Sequence, residues 1–162
     1  MAERVYTQTF CAVGGILERE GKILLVKEAG TEDKGKWNMP GGWLDLGEDP
    51  VAMAEREVKQ ETGLDFEPTH LVGFYSLVRK DLQKGPGNMP HAVELFFCGH
   101  ISGILMEPND EIAELRWFTP GEIEAMDQSK LRGINIKLRV KDYFAGKRYP
   151  LDIIRHTVQE KK

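Results

Sequence analysis

Apolar and polar positions change their spacing several times along the chain, and each change marks an element. Residues 9–17 (TFCAVGGIL) and 22–27 (KILLVK) are apolar, strand-like runs joined across the polar stretch 18–21, which predicts a hairpin. A polar, glycine-containing loop follows at 29–36, and Trp37-Asn38-Met39 leads into the turn Pro40-Gly41-Gly42. From Asp49 the spacing becomes helical. Asp49 suits an N-cap, Pro50 the first helical position and Gly63 a left-handed C-terminal cap. At roughly 100° per residue, Val51, Ala54, Val58 and Thr62 share one face, the natural core side. Further strands are expected at 71–78, 92–101 and 112–118, separated by the loop 83–90 (QKGPGNMP) and a turn at Pro108-Asn109-Asp110. A short helix opens at Pro120, and a longer one covers 135–144. Mixed strands with one central and one C-terminal helix predict an α+β chain, an α/β/α sandwich. No repeat, low-complexity tract or linker divides it, so 1–162 reads as a single domain. The tail 147–162 carries an apolar patch, Leu151, Ile153 and Ile154, expected to pack back on the domain or on a partner chain.

Composition narrows the partners. At 162 residues the chain is long enough for one sizeable core. A net charge of −4 and pI near 5.6 argue against binding to DNA or RNA duplexes or to anionic membranes, which favour a basic face. A small phosphorylated ligand is compatible with that charge, because bound metal ions supply positive charge that the chain lacks. The N-terminus has no apolar signal-peptide core, and no apolar run is long enough to span a bilayer, so a cytoplasmic location is expected. Cys11 and Cys98 lie in apolar runs without a C-x-x-C and read as buried free thiols. His70, His91, His100 and His156 form no i, i+4 pair, which leaves no zinc motif. Both a monomer and a homodimer fit these features.

The chemistry concentrates on the central helix. Glu57, Gln60 and Glu61 gather beside its core face. Two carboxylates four residues apart repel by roughly 0.2–0.5 kcal/mol on an isolated helix. A divalent cation turns that cost into a gain, since hard oxygen ligands on a rigid element suit Mg²⁺. Taken alone, such a pair is more often a solvated acidic face. Its surroundings decide otherwise: Gly42 is followed after five residues by Glu48, after seven more by Arg56-Glu57-Val58, and then by Glu61, Gly63 and Leu64.

Residues 42–64 thereby resemble the signature of the Nudix hydrolases, G-x5-E-x7-R-E-U-x-E-E-x-G-U, where U is aliphatic. One fixed position departs: Gln60 stands where the family usually has a Glu. The resemblance implies the Nudix fold, a mixed sheet between helices, over about residues 5–145. It implies Mg²⁺-dependent cleavage, with Mn²⁺ as a substitute, of a nucleoside diphosphate linked to another group. Glu57, Glu61 and the Gly42 carbonyl match the metal ligands, and Glu48 with Arg56 matches an ion pair that braces the loop against the helix. The family places no general base at one fixed position; Glu57, Glu94 and Glu111 are the candidates here. Gln60 keeps an oxygen but loses a charge, which weakens the site for an additional metal without removing the first.

Asn38 resembles the purine-contacting Asn of Nudix enzymes that act on oxidised purine nucleotides, although forming the turn is the plainer role for an Asn there. Trp37, Trp43 and Trp117 read as packing residues rather than base-stacking ones. The expected substrate is a small nucleotide. Purine nucleoside triphosphates, including oxidised ones, rank ahead of nucleotide sugars such as ADP-ribose, and a non-catalytic nucleotide-binding module is the third reading.

Overall fold

The structure is a computed structural model and describes residues 8–30 and 33–161. Strand β1 (Phe10–Gly15) leads into the hairpin of β2 (Glu18–Arg19) and β3 (Lys22–Glu28), which turns at Glu20-Gly21. Two short strands, β4 (Trp37–Asn38) and β5 (Gly41–Trp43), flank Met39-Pro40. Helix α1 (Pro50–Thr62) follows, then the long pair β6 (Asp65–Val78) and β7 (His91–Ser102), and then β8 (Ile112–Phe118). Helices α2 (Pro120–Ala125) and α3 (Asn135–Phe144) and the short β9 (Tyr149–Pro150) complete the order.

The strands form two sheets. One has the order β5-β1-β7-β6-β9, mixed because β1 and β7 run parallel while the other pairs are antiparallel. The second is built on β3: β8 pairs along its length, while β2 and β4 take opposite ends of its other edge. Side chains alternate across β7, and the alternation divides the core. Phe97 joins Val13, Leu71, Met53, Ala54 and Val58 under α1. Phe96 and Cys98 face the opposite way, toward Val72, Ile136 and Val140 of the α3 side. The sheet thus carries a helix on each face, the expected α/β/α arrangement.

Helix α1 has the expected ends. Asp49 accepts from the N–H groups of Val51 and Ala52, and Gly63 caps the C-terminus at φ 79°, donating to the Lys59 carbonyl. Its core face differs by one residue: Met53, Ala54, Val58 and Thr62 are buried, whereas Val51 is only partly covered. Strand β6 begins six residues earlier than the expected 71–78, because Asp65–Leu71 pair with the distal half of β7 through two register shifts. The tail packs back on its own domain, with Tyr149–Pro150 pairing with β6 and Leu151 and Ile154 covering the α1-side core. The tryptophans pack: Trp37 is buried edge-on against Phe118, and Trp43 lies on Phe10. Both cysteines are free, Cys98 buried and Cys11 half-buried. No described helix is long and apolar enough to cross a membrane.

Candidate active site

Strand β5 and helix α1 bring the signature residues to one place. Gly42 sits opposite Val13 of β1, and the helix passes directly over it. A Cβ at Gly42 would stand 2.9 Å from Glu57 Oε2 and 3.0 Å from its carboxyl carbon. The glycine is therefore required by the acid: any side chain there would displace the Glu57 carboxylate. One residue earlier, the Gly41 N–H donates to Glu61 Oε2 at 2.9 Å. Both acids are thus seated on the glycine turn.

Arg56 organises the rim. Its Nε and Nη2 grip the two Glu48 oxygens at 2.7 and 2.8 Å, the expected ion pair in bidentate form. Nη1 donates to Glu57 Oε1 at 2.7 Å and Gln60 Oε1 at 3.0 Å, and Nη2 reaches Asp45 at 3.2 Å. One guanidinium therefore ties Asp45 and Glu48 of the loop before α1 to Glu57 and Gln60 of the helix. Its charge keeps the Glu48 carboxyl low, mainly through the direct hydrogen bond.

The two helix acids are tuned differently. Burial pushes the Glu57 carboxyl up, against the opposing pull of Arg56. Glu61 is pushed up to about 8, first by burial; Glu28 and Glu57 add to the push, while the Gly41 N–H and Arg132 oppose it. A half-buried carboxylate with one backbone donor is undercompensated, which is the condition a cation relieves. The residues therefore fit a divalent ion held by Glu57, Glu61 and the Gly42 carbonyl. Among the described residues no cluster of three or more His, Cys, Asp or Glu side chains converges as a ready metal site. With Gln60 exposed and turned to Arg56, the site is a pair of acids, as the missing Glu implies.

The remaining candidates separate. Glu94 is buried on the α3 side of the sheet, paired with Arg139 at 2.5 Å and accepting from Asn135 at 2.9 Å. It is a structural anchor away from the α1 face, so of the two later acids Glu111 remains the base candidate. Glu111 shares an open cleft with Gln60, Asn109 and Asp110. Asn38 does not form the turn. It lies in β4, half-buried and paired with Val26, and its amide donates to Glu28 Oε1 at 3.3 Å.

Glu28, Asp33 and Arg132 were not foreseen. Arg132 Nη1 donates to the same Glu28 oxygen at 3.0 Å, and its Nε to Asp33 at 3.1 Å. Nothing in their spacing of about a hundred residues hints at this, because sheet pairing and the segment between α2 and α3 create the contact. A marginal signal existed in Glu28 alone, an acid closing a strand whose centre, Ile23 to Val26, is apolar.

Comparison with known proteins identifies the family. A model of the NUDIX domain matches residues 7–137. The chain is similar to the ADP-ribose pyrophosphatase of Methanocaldococcus jannaschii, 31% identical over 146 residues, covering 89% of this chain and 78% of that protein. It is similar to Phosphatase NudJ of Escherichia coli K12, 31% identical over 143 residues and 88% of both chains. Among solved structures, a NUDIX hydrolase from Nitrosomonas europaea superposes with a TM-score of 0.78 at 31% identity, covering 93% of this chain and 98% of the other. A MutT NUDIX hydrolase from Burkholderia pseudomallei gives 0.66 at 27%, covering 83% and 98%. Relatives of nearly full length carry this fold, and the acids of α1 are seated on its glycine turn; the chain belongs to the Nudix hydrolase family, enzymes acting on phosphorus-containing anhydrides.

Proposed function

We propose that the protein hydrolyses the pyrophosphate linkage of a purine nucleoside diphosphate derivative with Mg²⁺ bound at Glu57, Glu61 and the Gly42 carbonyl. The observation that supports this most is the seating of both acids on the glycine turn, Glu57 against Gly42 and Glu61 on the Gly41 N–H. A bound Mg²⁺, or Mn²⁺ in its place, supplies Lewis acidity toward phosphate oxygens and lowers the pKa of water. The chain does the rest by position. Arg56 locks Glu57 in orientation and ties the Glu48 loop to the helix, so the ligating oxygens need little rearrangement. Phosphoryl transfer requires an in-line water and a group to receive its proton. Glu111, which lines the same cleft as Gln60, is our candidate for that role, and Glu57 is the alternative.

Within this class, purine nucleoside triphosphates follow from Asn38 and the moderate loops around the site. ADP-ribose is the second reading, favoured by the printed name of the Methanocaldococcus relative. The deciding experiment is a hydrolysis panel of nucleoside triphosphates, oxidised purine triphosphates, ADP-ribose and other nucleotide sugars, with Mg²⁺, with Mn²⁺ and with excess chelator. Metal-dependent release of a nucleoside monophosphate from at least one purine substrate is expected. Turnover that persists in chelator, or binding without turnover across the panel, would defeat the reading.

A further inference from the structure

The reaction proposed above needs a cation for the substrate's phosphates, and Arg56 is not free to serve. A guanidinium has five N–H donors. Arg56 directs all of them, through Nε, Nη1 and Nη2, at Asp45, Glu48, Glu57 and Gln60. Of the lysines of β3 and the loop after it, Lys27 pairs with Glu114 and Lys36 with Asp33.

Arg132 is different. Its backbone is clamped beside the site: Leu131 bridges Trp37, the Arg132 N–H donates to the Trp37 carbonyl at 2.9 Å, and Arg79 Nη1 donates to the Arg132 carbonyl at 3.0 Å. This sets it alongside Asn38, three residues before the Gly41 that holds Glu61. Its side chain spends two donors, one on Glu28 and one on Asp33. Those two carboxylates are only 12% and 13% exposed, whereas the Arg132 side chain is 35% exposed. Two half-buried acids thus fix the guanidinium plane from one side, and the remaining donors stay within reach of solvent. A guanidinium held in this way is preorganised for bidentate recognition of a phosphate.

We propose that Arg132 is a substrate-binding residue that grips a phosphate oxygen of the nucleotide's pyrophosphate, with Glu28 and Asp33 as positioning residues that fix its plane. Glu28 also accepts from Asn38, so the phosphate-gripping and base-facing groups share one anchor. The inference rests on the function proposed above and deepens it.

Inorganic pyrophosphate is the probe, because it has neither base nor ribose. Its affinity is measured by calorimetry in Mg²⁺ for the whole chain and for Arg132→Ala, Arg132→Lys and Asp33→Asn. Loss of a charge-assisted bidentate contact should weaken pyrophosphate binding about 10-fold or more in Arg132→Ala, with a parallel rise in KM for whichever nucleotide is turned over. The kcat should change by less than about 3-fold, and Lys should restore only part of the loss, since it lacks the fork. Asp33→Asn should show an intermediate effect. If Arg132→Ala does not fold, the lysine and Asp33 variants decide by the same measurement. Pyrophosphate affinity unchanged in folded Arg132 variants overturns the assignment. So does a fall in kcat and Mg²⁺ affinity in step with KM, which would mark a scaffold residue. A wild-type protein inert on every nucleotide defeats the parent reading; an active wild type with indifferent Arg132 variants defeats only this one.

Discussion

Glu61 carries the sharpest consequences among single residues. Its carboxyl is raised to about 8 by burial, so the metal-free fold binds its proton more tightly than the unfolded chain does. That contribution is complete below the ordinary carboxylate range and is lost as pH rises toward about 8. In chelator, the unfolding temperature should therefore fall between pH 5 and 8, and Mg²⁺ should reverse much of the fall. Glu61→Gln should flatten the chelator profile and lower turnover by roughly 10²-fold, the scale of losing an electrostatic stabiliser. Thermal melts across pH and steady-state rates test both; a variant with full activity and an unchanged profile would remove Glu61 from the site. Asn38 gives a second test. If its amide meets a purine edge, Asn38→Ala should cost about 1–3 kcal/mol in kcat/KM for purine substrates and spare pyrimidine ones. An equal loss on all bases would mean that Asn38 serves only to hold Glu28, with which it is bonded in the structure.

At the scale of elements, α1 depends on how its last turn ends. Gly63 adopts φ 79°, and a Cβ there would approach the Met106 backbone nitrogen at 2.8 Å. That nitrogen donates to the Thr62 carbonyl at 2.8 Å, so the cap and the segment after β7 hold each other. Gly63→Ala meets both the left-handed backbone and the close contact. It should lower unfolding free energy by about 1–3 kcal/mol, read from urea denaturation. Because Glu61 lies only two residues before Gly63, Mg²⁺ affinity should weaken in the same variant. A stable variant with weakened metal binding would show instead that the cap positions the acids without supporting the fold.

At the scale of the molecule, Glu94 and Arg139 join the five-stranded sheet to α3 across the core. Arg139 is 3% exposed, its guanidinium lies 3.7 Å above the Phe96 ring, and its Nε has no partner among the described residues. The neighbouring Tyr75 hydroxyl donates to Asp142 of the same helix at 2.9 Å. Removing one member of a buried pair leaves an uncompensated charge, so Arg139→Met should destabilise by about 3–5 kcal/mol. Replacing both, with Glu94→Leu added, should recover most of that loss, because an apolar pair no longer carries the desolvation cost. Chemical denaturation of the single and double variants tests this. A double variant no more stable than the single one would show that the ion pair is needed for packing itself.

The sequence by itself determined the elements whose causes are local. Asp49, Pro50 and Gly63 mark both ends of α1, Pro120 opens α2, and the periods over 112–118 and 135–144 give β8 and α3 at their observed limits. It also determined the acidic pair, because a spacing of four on a helix places Glu57 and Glu61 together whatever surrounds them. Tertiary structure alone decided the rest. Strand pairing extended β6 back to Asp65, and it set Glu94 on the α3 face of its sheet, where Arg139 claims it. It also brought Glu28, Asp33 and Arg132 together from opposite ends of the chain. Such contacts depend on register and on the path of a connecting segment, which the order of residues does not display.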